Sequence, residues 1–158
     1  GITECQNVTP MTGFSATQFF NGTWYVTHVK KQTSNTVCQT FSASNSDGKY
    51  VVDYSFADNK GQNQVRCEAE RGEQQKLTFT CKKGGTTIFS ADFVIMATDY
   101  TGSALFYRCV TMASGPKDDN YLVLSRTNGD QEIPTSLESS TSSLGLLACK
   151  DIRNKERI

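Results

Sequence analysis

Hydrophobic and polar residues alternate in short runs along this chain, and turn residues separate the runs about every 10 to 15 positions. Successive side chains of a β-strand point to opposite faces, so an alternating run predicts a strand with one buried face. Asp47-Gly48, between two of the runs, is a strong signal for a tight hairpin turn. The pattern predicts eight strands, at 23–31, 37–44, 49–58, 64–70, 75–82, 87–98, 103–112 and 121–127.

Short turns join all neighbouring predicted strands, which favours an up-and-down antiparallel meander. An open sheet leaves two edges exposed, and closure into a barrel removes both of them. A barrel of about eight strands has an interior just wide enough for one small ligand. We therefore predict an all-β fold, an eight-stranded antiparallel barrel that forms a single domain over residues 1–158.

Two segments lie outside the predicted strands. Residues 15–20 precede the first strand and are expected to form a short helical turn. Residues 134–145 begin with Pro134, end with Gly145 and are rich in Ser and Thr, which predicts a short C-terminal helix packed on the barrel. The charged tail 149–158 is expected to lie on the surface.

Charge and apolar content limit the partners of the chain. Its 158 residues include 16 basic and 16 acidic ones, so no nucleic-acid partner is expected. No apolar run approaches the roughly 18 residues of a membrane span, and we expect no membrane partner. No segment has the form of a signal peptide, so we expect the chain to begin on the mature protein.

Six cysteines occur in the chain, and no pair has the C-x-x-C spacing typical of zinc sites. An even number of cysteines in a small polar chain favours disulfides and therefore an oxidising compartment. The glycosylation sequons at Asn7 and Asn21 agree with secretion. Spacing alone leaves the pairing of the six cysteines open.

Three short motifs lie at predicted strand ends and suggest a family. A glycine and the chain's single tryptophan open the first strand, a T-D-Y motif lies between the sixth and seventh strands, and an arginine ends the eighth. In this order the motifs resemble the three conserved regions of the lipocalin family. That resemblance implies that the tryptophan plugs the closed end of the barrel and that the arginine packs across its ring. The motif residues are Gly22, Trp24, Thr98, Asp99, Tyr100 and Arg126.

A closer resemblance is to the salivary lipocalins of blood-feeding triatomine bugs, the group of the nitrophorins, triabin and platelet-aggregation inhibitors. It rests on the segments 11–28, 103–109 and 121–126. The disulfide pattern of that group implies two bonds here, and the remaining cysteines lie on the two arms of one predicted hairpin. Centring that hairpin on residues 72–73 places residue 67 opposite 78, so the third bond would be diagonal or need a bulge. The pairs that the resemblance implies are Cys5–Cys109 and Cys38–Cys149, and the remaining pair is expected to be Cys67–Cys81.

His28 is the only histidine and the first candidate for chemistry. If Trp24 points inward, alternation places His28 inward as well, nearer the open end, where we expect it to line the wall or contact a ligand. Catalysis would need a partnered nucleophile, and no G-x-S-x-G elbow is present. Nitrophorins bind haem through a histidine on the third strand, and the corresponding position here is near Ser55. We therefore expect no enzyme activity, no metal and no haem or other cofactor.

A ligand pocket is the remaining candidate site. Cys109 should face outward to meet Cys5, which would turn Arg108 inward unless a bulge reverses the alternation. A buried arginine needs a counter-charge, either Asp53 or an anionic ligand. The expected pocket residues are Val26, His28, Gln39, Phe41, Asp53, Ser55, Phe106 and Arg108.

Such a pocket suits a small amphipathic anion. The resemblance implies a secreted, monomeric salivary protein that sequesters a host mediator of haemostasis or inflammation. We expect first an eicosanoid such as a leukotriene or thromboxane, then ADP, and then a biogenic amine if Asp53 is the free charge. The alternatives are an inhibitor of thrombin that acts through its outer surface and a haem carrier.

Overall fold

Eight antiparallel strands form a closed barrel, in a computed structural model that describes residues 1–33, 38–71 and 76–156. Each strand pairs with the next in sequence, and the first strand closes the sheet by pairing with both the second and the eighth. The prediction of an eight-stranded up-and-down barrel is confirmed. The strands are β1 Gly22–Val29, β2 Thr40–Ser46, β3 Lys49–Asp58, β4 Gly61–Glu70, β5 Leu77–Lys83, β6 Thr86–Thr98, β7 Ser103–Met112 and β8 Lys117–Ser125.

Several strand ends differ from the predicted ones. β4 begins at Gly61 because the β3–β4 ladder continues to the last pair before the turn, Asp58 with Gly61. β8 begins at Lys117, which pairs with Thr111 of β7. The predicted starts of the second and fifth strands, residues 37 and 75, lie outside the described residues.

Short helices flank the strands. The predicted turn before β1 is the helix α1, Ala16–Phe19, whose first turn is capped by the Ser15 hydroxyl. The predicted helix at 134–145 is shorter in the structure, a 3₁₀ turn over Thr135–Leu137 that continues into α2, Glu138–Thr141. None of the described helices has the length and apolar character that a membrane crossing would require.

The charged tail forms a helix that the sequence pattern did not predict. The two-residue strand β9, Leu147–Ala148, pairs with the last residues of β1 and leads directly into the helix α3, Cys149–Glu156. Cys149 and Ile152 are three residues apart, so they share one face of α3, and both are buried in the main core. The expectation that the tail lies on the surface is therefore wrong for the face of α3 that carries Cys149 and Ile152.

The N-terminal segment packs on the outer face of β6 and β7, where Ile2 and Val8 pack against a small apolar cluster that includes Tyr107. Beside this cluster, the buried Asp119 accepts hydrogen bonds from Lys31, from the Tyr107 hydroxyl (2.8 Å) and from Gln6 (3.2 Å). Burial, with the neighbouring carboxylate, raises the pKa of Tyr107 to about 12, so the phenol remains a donor. These contacts bury both faces of β7 along most of its length.

Three disulfides fasten the barrel, Cys5–Cys109, Cys38–Cys149 and Cys67–Cys81. The first two have the pairings that the family resemblance implies, and the third joins the two remaining cysteines as expected. Cys67 and Cys81 are direct partners in the β4–β5 ladder, so the expected diagonal offset is wrong. The reason is the register, which pairs Glu68 with Thr80 and shifts the centre of the hairpin away from residues 72–73.

Candidate functional site

The closed end of the barrel is built around Trp24, which is 1% exposed. The Trp24 ring nitrogen donates a hydrogen bond to the carbonyl oxygen of Phe19 (2.9 Å). Arg126 lies across the ring, with Cζ 3.7 Å from a ring centroid. The guanidinium also donates to the carbonyl oxygens of Tyr100 (3.0 Å), Thr23 (2.9 Å) and Phe19 (3.3 Å). One arginine therefore ties the entry of β1, the β6–β7 turn and α1 together.

The other motif residues hold this end in place. Gly22 has a φ of +87°, a left-handed conformation that favours glycine, and an added Cβ would lie 3.4 Å from Arg126. Asp99 accepts hydrogen bonds from the backbone of Gly102 (2.8 Å) and Ser103 (3.0 Å). Thr98 Oγ1 accepts one from the Tyr100 nitrogen (2.9 Å). The side chains of Thr98 and Asp99 thus close the turn between β6 and β7.

Aromatic side chains fill the lower part of the lumen. Phe93 packs between Phe79 (4.7 Å between ring centroids) and Phe106 (5.1 Å), with the rings tilted against each other. Among them is a cavity of about 10 Å³, roughly the space for one water molecule. Its lining includes Phe41, Phe93, Phe106, Trp24 and Leu124.

Arg108 lies above this packing, on the lumen side of β7. Its neighbours on the same face of the ladder are Phe93 of β6 and Asn120 of β8, whereas Tyr107 and Cys109 belong to the outer cluster. The residue is half-buried, and burial lowers the pKa of its guanidinium. Within the described parts of the chain, no side chain forms a hydrogen bond or an ion pair with Arg108. The lumen therefore contains a cation without a carboxylate partner.

Tyr54 is the polar neighbour of Arg108 inside the barrel. Its side chain is 9% exposed, and its ring meets Phe41 edge to face at 5.8 Å between centroids. Burial raises the pKa of Tyr54, and the positive charge of Arg108 opposes this shift. Because β3 and β7 lie on opposite sides of the barrel, the two side chains extend toward each other across the lumen.

Gln39 is another polar residue on the lumen side of the barrel. It immediately precedes β2, and its carbonyl oxygen accepts a hydrogen bond from the Val26 nitrogen (3.0 Å). Phe41 is buried in the main core two residues further on, so alternation places Gln39 on the lumen side. The Gln39 Oε1 atom is buried and has no hydrogen-bond partner.

Asp53 and Ser55 lie outside the barrel, so their predicted inward orientation is wrong. Asp53 pairs with Arg66 on the outer surface (3.3 Å), and Ser55 is exposed. The intervening Tyr54 takes the inner face because the lumen buries the apolar and aromatic half of the strand. The two faces of β3 can be told apart in the sequence. Its aromatic residues occupy even-numbered positions, and this was the signal that those positions face the lumen.

His28 also lies outside the lumen. β1 pairs Val26 with Leu124 and then His28 with Val123, so a β-bulge at Thr27 adds one residue to the strand. The bulge turns Val29 inward and His28 outward, beside β9. The expectation of an inward His28 is wrong for this reason.

The surroundings of His28 are those of a buried structural residue. It is 6% exposed, and its Nδ1 lies 2.9 Å from the Thr27 hydroxyl, under the C-terminal segment. Burial lowers its pKa, with a smaller opposing effect from Glu132. Over residues 1–33, 38–71 and 76–156, no group of three or more histidine, cysteine or carboxylate side chains could hold a metal ion.

The structure thus brings five of the predicted pocket residues to the lumen and excludes three. The sequence-based pocket prediction includes neither Tyr54, a polar group of the lumen, nor Phe93. Whether the five contact a ligand remains a prediction. They are Val26, Gln39, Phe41, Phe106 and Arg108.

An eight-stranded barrel whose closed end is formed by a tryptophan under an arginine defines a lipocalin. The Triabin family model matches residues 2–140, and the chain belongs to this family of triatomine salivary lipocalins. Procalin of Hospesneotomae protracta is 36% identical over 149 residues, which cover 92% of this chain and 88% of procalin. Triabin of Meccus pallidipennis is 36% identical over 133 residues, 82% of each protein.

Two solved structures show the same fold. A mutant of LTBP1 in complex with leukotriene C4 is 27% identical, with a TM-score of 0.68 and coverage of 89% of each chain. The tryptamine complex of the amine-binding protein of Rhodnius prolixus is 21% identical, with a TM-score of 0.72 and coverage of 97% of this chain and 89% of that one. At this identity the second likeness concerns the fold alone.

Proposed function

We propose that this protein is secreted and sequesters a small amphipathic anion in the mouth half of its barrel, without catalysis. The observation that supports the proposal is Arg108, a half-buried cation on the lumen side with no partner among the described residues. Desolvating an unpaired cation is costly, and an acid group that forms charge-assisted hydrogen bonds with the guanidinium would offset this cost.

The surroundings of Arg108 favour an anion over an amine. An amine would need a carboxylate in the lumen, and the candidate Asp53 is on the outer surface, paired with Arg66. The Tyr54 hydroxyl is protonated at neutral pH and adds a neutral donor near the guanidinium. Phe93 and Phe106 offer an apolar floor for a hydrocarbon chain.

The ligand class we favour is a lipid carboxylate such as an eicosanoid, with ADP as the next anion. The leukotriene C4 complex of LTBP1 supports testing this class first. The space below Phe106 holds about one water molecule, so the ligand would lie between this packing and the mouth. Binding would be stoichiometric, so the protein would act on host haemostasis or inflammation by removing a mediator.

Calorimetric titration tests the proposal with leukotriene C4, a thromboxane analogue, ADP, serotonin and noradrenaline. We expect heat from an anionic lipid and a loss of affinity of about 10-fold or more in Arg108→Met, since hydrogen bonds to charged groups contribute about 1.5–3 kcal/mol. Arg66→Met, on the outer surface, is the matched control and should bind as the wild type does.

Thermal unfolding without ligand separates binding from a structural role. Arg108→Met keeps the apolar stem and removes an unpaired half-buried charge, so its Tm should equal or exceed that of the wild type. Absence of heat with every anion, or unchanged affinity in Arg108→Met, would refute the proposal.

A further inference from the structure

Gln39 has an unused hydrogen-bond acceptor inside the barrel. Its Oε1 atom is the one buried side-chain oxygen or nitrogen, among the residues that the structure describes, that lacks a partner. The backbone at this position is fixed on two sides, by the Cys38–Cys149 disulfide next to it and by the hydrogen bond from Val26. The orphan oxygen therefore belongs to a position that cannot easily turn to solvent.

The unpaired Gln39 Oε1 atom on the lumen side would be satisfied by a hydrogen-bond donor from outside the chain. Buried polar groups in folded proteins are almost always hydrogen-bonded, and exceptions require an explanation. Arg108 and Tyr54 are also polar residues of the lumen, and neither donates a hydrogen bond to Gln39 Oε1. A ligand that brings only an acid group would use Arg108 and leave Gln39 unsatisfied.

We propose that Gln39 is a specificity-determining residue that accepts a hydrogen bond from a hydroxyl or N–H group of the ligand. The inference rests on the proposed function, since it assumes that an amphipathic anion enters the lumen. Arg108 on β7 binds the acid group, and Gln39, beside β1, binds the donor at a second point. The preferred ligand is then an acid that carries a hydroxyl or amide group along its chain, and plain fatty acids bind more weakly.

Three kinds of probe with the same carboxylate test this inference. They are arachidonic acid, a series of its monohydroxy derivatives that differ in hydroxyl position, and the corresponding keto derivatives. We expect one hydroxy acid to bind wild-type protein about 5–10-fold more tightly than both the parent and its keto form, as one additional hydrogen bond predicts. In Gln39→Leu this preference should vanish, while arachidonic acid binds as tightly as before.

Gln64→Leu is the matched control, because Gln64 is exposed on β4 between the inward Asn63 and Val65. It should retain the full preference for the hydroxy acid. Gln39→Leu should also unfold at the wild-type Tm or above it, since an unsatisfied polar atom is removed.

Each alternative result counts against the inference in a recognisable way. Equal binding of parent, hydroxy and keto probes would mean that water satisfies Gln39, and the inference falls. A preference for keto probes, or a hydroxy preference that survives in Gln39→Leu, overturns it as well. If arachidonic acid binds in an Arg108-dependent way, the proposed function stands by itself. If no probe binds, the inference about Gln39 falls, and titration with the anions named under the proposed function decides that proposal separately.

Discussion

Arg126 is expected to contribute several kilocalories per mole to the stability of the closed end. Its guanidinium donates to three backbone carbonyl oxygens and lies 3.7 Å from a Trp24 ring centroid. The bonds to Tyr100 and Phe19 are partly buried, and the bond to Thr23 is exposed. With about 1 kcal/mol for each partly buried bond and about 1 kcal/mol for the cation–π contact, Arg126→Met should lose about 3 kcal/mol.

Equilibrium urea denaturation with the disulfides intact measures this loss. Trp24 is the single tryptophan and is buried, so its fluorescence reports unfolding at the site of the change. A loss of about 3 kcal/mol corresponds to a fall in Tm of about 6–12 °C for a chain of this size. Arg126→Lys keeps the charge over the ring without the forked donor, and it should fall between wild type and Arg126→Met.

Arg66→Met provides the baseline for removing an exposed arginine, and we expect a change within about 0.5 kcal/mol. The reasoning would be refuted by a loss below about 1 kcal/mol in Arg126→Met. Equal losses in the lysine and methionine variants would show that the charge over Trp24 contributes nothing.

Two further predictions concern pH. Burial by itself raises the pKa of Asp119, but hydrogen bonds from Lys31, Tyr107 and Gln6 outweigh it and lower the pKa. Its stability contribution is therefore present above the unfolded-state pKa of about 4 and is lost as pH falls through the folded-state value. Asp119→Ala should lose about 3 kcal/mol in urea at pH 7 and much less in acid, and a constant difference would contradict this. Burial lowers the pKa of His28, so the unfolded chain binds the proton first and wild-type stability falls below about pH 6.5. His28→Gln should lack this part of the acid loss, and parallel profiles would count against it.

The strand order and the closed end could be predicted because they depend on local signals. Each strand carries its own alternation and its own turn residues, and a meander leaves closure as the way to remove both edges. The motif around Trp24 and Arg126 consists of residues whose roles are fixed by contacts at one end of the barrel. Two disulfide pairs followed from the family resemblance, since spacing left them open, and the third was the pair that remained.

The faces of β1 and β3 depend on information that lies outside each strand. The bulge at Thr27 appears only in the pairing of β1 with β8, although Val26 and Val29, three residues apart, could both face inward only with one extra residue. In β3, alternation allows either the odd-numbered or the even-numbered positions to face the lumen. The prediction of a polar pocket selected the wrong set. The lumen takes Tyr54 because burying aromatic area is favourable and burying the Asp53 carboxylate without a partner is costly.

The two long disulfide loops overlap, because Cys5–Cys109 and Cys38–Cys149 interleave along the chain. Every peptide bond between Cys5 and Cys149 is therefore spanned by at least one of these bridges. A protease that cuts an exposed loop once would leave two fragments that are still covalently joined, with the barrel strands held in register between them. We therefore expect the barrel to survive a single cleavage, and under the proposed function this would preserve ligand binding in a fluid that contains proteases.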